Sequence, residues 1–247
     1  MEFKEAKRKD ASRNPVVLAV INQKGGVGKS TTAVNLAAAL GEKKYKVLLV
    51  DLDAQGNATT GVGYDKTQCE ISTYNCLVDD DVKTEDAISE IKTKNVWLLP
   101  ATIDLAGAET KLVDEIAREF CLSDALKDIK DEFDFILVDC PPSLGLLTVN
   151  ALAAADKLII PIQCEFYALE GLSKIIDSMN MVKKRINPNL DVFGVAITMY
   201  DKRTTLSKDV AKEVENVFGD KVFKTRIPRT VRISEAPSYG EPITEYE

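Results

Sequence analysis

The sequence predicts a single α/β domain built on one doubly wound, mostly parallel sheet with helices on both faces. Three observations lead there. The most apolar runs are short, continuous and rich in β-branched residues, as strands covered on both faces are. Stretches with helical spacing of apolar residues separate those runs. No low-complexity linker, internal repeat or shift in composition divides the 247 residues.

Residues 1–14 are polar and read as a flexible N-terminal tail, leaving 15–247 as the domain. A strand is expected over 16–21, followed by a glycine-rich loop. An Ala/Leu-rich helix over 31–40 ends at Gly41, and a second strand at 47–50 closes on Asp51-Leu52-Asp53. Strand, loop, helix and strand in this order make a βαβ unit. Further strands are expected at 96–99, at 135–138 leading into Asp139, at 158–160, at 192–197 and at 222–227. Helical patterns cover 104–119, 146–155, 169–185 and 207–218. Ligands of such sheets bind beyond the C-terminal strand ends, so chemistry belongs in the loops after Ile21, Val50, Val138 and Ile160.

Hydrophobic residues make up 45% and charged residues 29%, an ordinary balance for a soluble globular chain. A formal net charge of −7 argues against wholesale coating of nucleic acid. Basic residues nonetheless gather in two places. Lys4, Lys7, Arg8, Lys9 and Arg13 lie in the N-terminal segment, and a second group runs from Lys202 to Arg232. There is no histidine, which excludes histidine-based metal sites and triads. The five cysteines include no Cys-x-x-Cys pair, and free thiols fit a reducing cytoplasm. No apolar run approaches the ~20 residues of a membrane span, so no membrane partner is expected.

The segment Lys24-Gly25-Gly26-Val27-Gly28-Lys29-Ser30-Thr31 carries the strongest chemical signal. Its glycines let backbone N–H groups turn toward an anion, and the helix that follows adds its dipole. Lys29 can reach the β- and γ-phosphates of a nucleotide, and Ser30 can place a hydroxyl on Mg²⁺. The usual phosphate-loop spacing would put glycine at position 23, where this chain has Gln23. Lys24 stands beside it, ahead of the glycines, placed to reach a phosphate from outside the loop. Asp139 ends an apolar strand, as the carboxylate that holds Mg²⁺ does in nucleotide hydrolases. Asp51 and Asp53 alternate onto the same side of the chain, where carboxylates can order Mg²⁺ waters and position an attacking water.

Taken together these blocks resemble the ParA/Soj family of partition ATPases, a P-loop NTPase class with a deviant Walker A loop. The resemblance runs from Val16 to Tyr246. It rests on 22–32, on Val50-Asp51-Leu52-Asp53-Ala54-Gln55-Gly56-Asn57, on 135–143, on Ile227-Pro228-Arg229 and on Ser234-Glu235-Ala236-Pro237-Ser238. It implies ATP and Mg²⁺ as cofactors and an ATP-dependent homodimer in which Lys24 contacts phosphate held by the other subunit. It further implies slow hydrolysis with Asp53 activating water, and adenine contacts from Pro228 and Thr230, the latter an asparagine in most of the family. Arg203 and Arg232 match the family's contacts to nonspecific DNA. A centromere-binding partner of the ParB/Spo0J type would stimulate hydrolysis, and the ATP form would sit on the nucleoid in the cytoplasm. The family continues into a further helix past the position of Tyr246. A MinD-like membrane-associated division ATPase is the alternative; it would end in an amphipathic basic helix, which is not seen here. An iron–sulfur relative would need cluster cysteines at a dimer axis, and Cys140 stands in the wrong place for one.

Overall fold

The computed structural model describes residues 3–9, 11–165 and 168–246. The strands are β1 (Val16–Val20), β2 (Val47–Asp51), β3 (Ser89–Glu90), β4 (Val96–Leu99), β5 (Phe135–Asp139), β6 (Lys157–Gln163) and β7 (Asp191–Thr198). The α-helices are α1 (Lys29–Glu42), α2 (Asn57–Gly61), α3 (Thr73–Val78), α4 (Thr84–Ala87) and α5 (Ala108–Leu112), then α6 (Cys121–Lys127), α7 (Leu146–Ala154), α8 (Ala168–Arg185), α9 (Thr205–Phe218) and α10 (Val231–Glu235). Among the described residues the sheet has seven strands in the order β3-β4-β2-β5-β1-β6-β7. Only the pairing of β3 with β4 is antiparallel. The predicted fold class holds.

The continuous apolar runs divide between two cores because side chains alternate across a strand. Val17, Ala19, Leu48, Val50, Ile136 and Val138 face one core. Leu147 and Ala151 of α7 and Val210, Ala211 and Val214 of α9 close that side. Leu18, Val20, Val47, Leu49 and Leu137 face the other, which Ala33, Val34 and Ala37 of α1 cover. Small residues on α1 let the helix lie close to the sheet near the loop that precedes it.

Four expectations need correction. First, Gly41 does not end the first helix, which runs on to Glu42. Its role is steric. A Cβ at Gly41 would lie 2.4 Å from the Lys94 carbonyl oxygen, and Asn95 Nδ2 donates to the Gly41 carbonyl at 2.9 Å. Gly41→Ala is therefore expected to destabilise the fold by about 1–3 kcal/mol, seen as a lower urea midpoint at unchanged slope. Second, 222–227 is not a strand. The segment touches the sheet edge through isolated bridges at Val195–Val222 and Tyr200–Pro228. Between them Arg226 turns aside to Glu215, at 2.6 Å, and to the Tyr200 hydroxyl, at 2.9 Å.

Third, the helix expected over 104–119 is broken. A 3₁₀ turn (Ile103–Gly107) leads into short α5, and Ala117 then takes a left-handed conformation at φ 56°. Buried Asn150 draws the chain back, donating to the Arg118 carbonyl at 2.8 Å and accepting from Leu122 N at 3.0 Å. Fourth, the described part of the N-terminal segment is docked rather than loose. Phe3 is buried and stacks on Phe133 at 5.7 Å. Asp134 accepts from the backbone N of Lys9 at 2.8 Å and of Lys46 at 2.9 Å. Three of the five basic residues flagged there serve the fold: Lys4 pairs with Glu85, Arg8 with Asp134, and Lys9 lies 3.9 Å over the Tyr45 ring. Phe3 also closes an aromatic box around Lys46, whose Nζ lies 5.2 Å from the Phe133 ring centre and donates to the Ala6 carbonyl at 2.8 Å.

Beyond α10 the chain returns to the helix that follows β2. Gly63 and Gly240, at φ 77° and 67°, meet backbone to backbone. A Cβ on Gly240 would lie 2.5 Å from Gly63 Cα. Asn35 Oδ1 on α1 accepts from Ile243 N at 2.7 Å, which fixes the same segment a second time.

Candidate functional site

The sheet register creates the site. Val20, Asp51 and Asp139 are aligned neighbours on β1, β2 and β5, so three chain segments leave the sheet at one level. The glycine loop departs from β1 and wraps to the start of α1. Gly26 (φ 75°) and Gly28 (φ 91°) adopt left-handed backbone that other residues resist. Gly25 is exposed with open space around it, so of the three glycines it is the one whose geometry here does not demand glycine. Gly28 is the N-cap of α1 and offers no side chain to the first-turn N–H groups. An uncapped helix start beneath a turn of backbone donors suits a phosphate. Buried Val27 pins the loop, its carbonyl accepting from Thr198 Oγ1 at the end of β7 at 2.8 Å.

Lys29 is buried and its Nζ donates to the Lys24 carbonyl at 3.3 Å. Burial draws this ammonium below the ordinary lysine range, and Asp139 and Asp53 oppose the shift. Asp51 is fully buried and heavily committed. Its Oδ2 accepts from both N and Oγ1 of Thr59, each at 2.7 Å, and its Oδ1 from Asp53 N at 3.1 Å. Asp53 Oδ1 in turn accepts from Gln55 N at 3.0 Å. The two aspartates thus shape the loop after β2, and Asp51 acts first as its anchor.

Asp139 differs. It is fully buried, and no hydrogen bond of good geometry reaches either carboxylate oxygen. Burial, then the neighbouring Asp51, push its pKa well above the usual carboxylate range; the Ser30 hydroxyl and Lys29 pull it back only partly. Burial raises Asp51 to about 6. A buried carboxylate with both oxygens orphaned, beside a second buried carboxylate and a hydroxyl, suits a hard cation that keeps other ligands of its own. Mg²⁺ fits these residues, with Asp139 and Ser30 best placed to hold it and Asp51 behind them. Among the described residues no cluster of three or more His, Cys, Asp or Glu side chains could hold a metal alone.

A stability consequence follows with a definite sign. Both native pKa values lie above those of the unfolded chain, so between the ordinary carboxylate range and about 6 for Asp51 the native state binds more protons. The contribution of this pair to stability is therefore fullest at low pH and is lost as pH rises through that window. Asp139→Asn removes the orphaned charge. The variant is expected to be more stable than the parent by about 1–3 kcal/mol at pH 8, with little gain at pH 5, in urea titrations without divalent cations.

The remaining candidates lie around this centre. Lys24 is half-buried, with its N held by Asn22 Oδ1 at 3.0 Å and its Nζ paired with Glu165. Pro228 bridges to Tyr200 just past β7 and is exposed. Thr230 caps α10, its hydroxyl oxygen accepting from Ile233 N at 3.2 Å. Arg232 is exposed on α10. Arg203 is exposed too but grips Asp201 through two bonds, at 2.9 and 2.8 Å, and holds that carboxyl down to about 2. Sequence reasoning gave no role to Thr59, Thr198, Asn22 or Glu165. The only signal for Thr198 was a hydroxyl at a strand end; Thr59 carried none.

The fold and the loop together define a P-loop nucleoside triphosphatase. A family model described as an AAA domain matches residues 16–192. Sporulation initiation inhibitor protein Soj of Bacillus subtilis is 52% identical over 94% of this chain and 91% of its own. Chromosome partitioning protein ParA of Myxococcus xanthus is 46% identical over 94% of this chain and 81% of its own. A structure described as cobyrinic acid a,c-diamide synthase from Mycobacterium smegmatis, with bound ATP analogue and magnesium, superposes with TM-score 0.83. It is 41% identical, over 92% of this chain and 93% of that one. The chain belongs to the ParA/Soj family of P-loop partition ATPases.

Proposed function

We propose that this chain is an ATP-switched partition ATPase. It would bind ATP with Mg²⁺, pair with a second copy, hold nonspecific DNA in that state and release it on hydrolysis stimulated by a ParB/Spo0J-type partner. The observation that carries the reading is the orphaned Asp139 carboxylate beside Lys29 and Ser30, with a second lysine, Lys24, outside the loop.

The bound Mg²⁺ would supply charge neutralisation for the phosphates. The chain's own residues do the rest. Gly26 and Gly28 expose backbone N–H groups to the phosphate chain, and Lys29 adds its ammonium. Lys24 would reach a phosphate of the partner subunit and stabilise charge that develops during transfer. Asp53, fixed by its bonds to Asp51 and Gln55, would orient the attacking water. Pro228 and Thr230 would flank the adenine. Arg203 and Arg232 would meet DNA phosphates, and Arg203 would first have to exchange Asp201 for one.

ATP-dependent DNA binding tests the reading. Wild type with Mg-ATP is expected to bind plasmid without sequence preference, steeply less at higher salt. Arg232→Ala should weaken binding and flatten the log–log salt slope by about 1 per subunit. Co-sedimentation with anionic liposomes instead of plasmid would favour the division-site alternative, and binding to neither would reject both.

A further inference from the structure

The lysine that sets this loop apart is tethered to its own subunit. Lys24 Nζ forms an ion pair with Glu165, just beyond the end of β6. Glu165 is itself positioned by Gln163, the last residue of that strand: Gln163 Nε2 donates to Oε1 at 2.5 Å, and Glu165 N donates to the Gln163 carbonyl at 2.8 Å. The backbone side is fixed as well. Lys24 N donates to Asn22 Oδ1 at 3.0 Å, while Asn22 Nδ2 donates to the Pro161 carbonyl at 2.7 Å. Both ends of Lys24 are thus moored to the C-terminal end of β6, and its carbonyl receives the ammonium of Lys29 at 3.3 Å.

We propose that Glu165 is a latch: a positioning residue whose carboxylate holds the Lys24 ammonium within its own subunit and competes for it with the partner's phosphate. The proposal rests on the reading of Lys24 as a residue that acts across a dimer. Its strength follows from exposure. The two side chains are 38% and 46% exposed, and an ion pair so hydrated biases an equilibrium only about two- to fivefold. A polyphosphate, with several charged oxygens, displaces a single carboxylate of that kind. The latch would therefore restrain Lys24 without trapping it and set the ATP concentration at which two copies pair.

Glu165→Gln in the full chain tests this with two readouts. The first needs no nucleotide. Acetylation of the Lys24 amine by a dilute succinimidyl ester, followed by peptide mass spectrometry against the other lysines, should run about two- to fivefold faster in the variant. The second is light scattering across an ATP titration with Mg²⁺. The ATP concentration for half-dimerisation should fall about two- to fivefold. Unchanged Lys24 labelling, or a variant that dimerises at the same or a higher ATP concentration, overturns the latch. A wild type that binds Mg-ATP yet never dimerises, alongside faster Lys24 labelling in Glu165→Gln, would instead sink the trans role of Lys24 and with it the competition.

Discussion

Replacing Lys24 with alanine is expected to abolish ATP-dependent dimerisation and to cut hydrolysis by about 10³-fold or more, the range of cationic groups supplied in trans to phosphoryl transfer. Binding of ATP to the isolated subunit should stay within a few-fold of wild type. The split follows from the geometry. The anion cradle consists of the turn at Gly26 and Gly28, the uncapped start of α1 and buried Lys29. Lys24 contributes to that cradle only its carbonyl, which receives Lys29. Its own ammonium points to Glu165. Titration calorimetry with ADP and ATP, light scattering and phosphate release together check the outcome. Intact dimerisation and turnover in Lys24→Ala would remove the trans role.

Asp53→Ala is expected to slow phosphate release by about 10²-fold or more, as loss of a group that orients a proton-transferring water does. Dimerisation and DNA binding should persist, so the variant would remain on DNA after ATP is added. Asp53 also shapes its loop by accepting from Gln55 N, and alanine loses both roles at once. Asp53→Asn separates them. Its amide oxygen can still accept from Gln55 N, but the carboxylate charge is gone. An equal rate loss in both variants assigns the effect to that charge. Wild-type phosphate release in both would show that Asp53 is only a turn residue.

The parts of this molecule that sequence made legible share a physical cause. The strands at 16–21, 47–50, 135–138 and 158–160 are buried on both faces, so their composition had no freedom to disguise them. The loop from Lys24 to Ser30 was legible because an anion cradle needs left-handed backbone and a helix start at fixed spacing. What escaped depended on single long-range bonds. One asparagine, Asn150, breaks the expected helix over 104–119. One aromatic, Phe3, docks the segment expected to be loose. At 222–227 the pairing with the sheet edge reduces to isolated bridges, with Arg226 turned aside to Glu215 and Tyr200 between them. Asp51 illustrates the same limit within the site. Its place at a strand end was readable, but its commitment to Thr59, eight residues on, was not.

The contact between Gly63 and Gly240 joins two segments that are far apart in the chain. One glycine lies just past α2, which the Asp51–Asp53 loop feeds; the other lies just past the segment bearing Pro228, Thr230 and Arg232. With no side chain between them, neither backbone can shift without carrying or losing the other. The amides of 57–64 and 236–246 should therefore exchange with solvent deuterium as one cooperative unit, slowing together when nucleotide binds. A change felt at the phosphates would reach Arg232 through a joint made of two missing methyl groups.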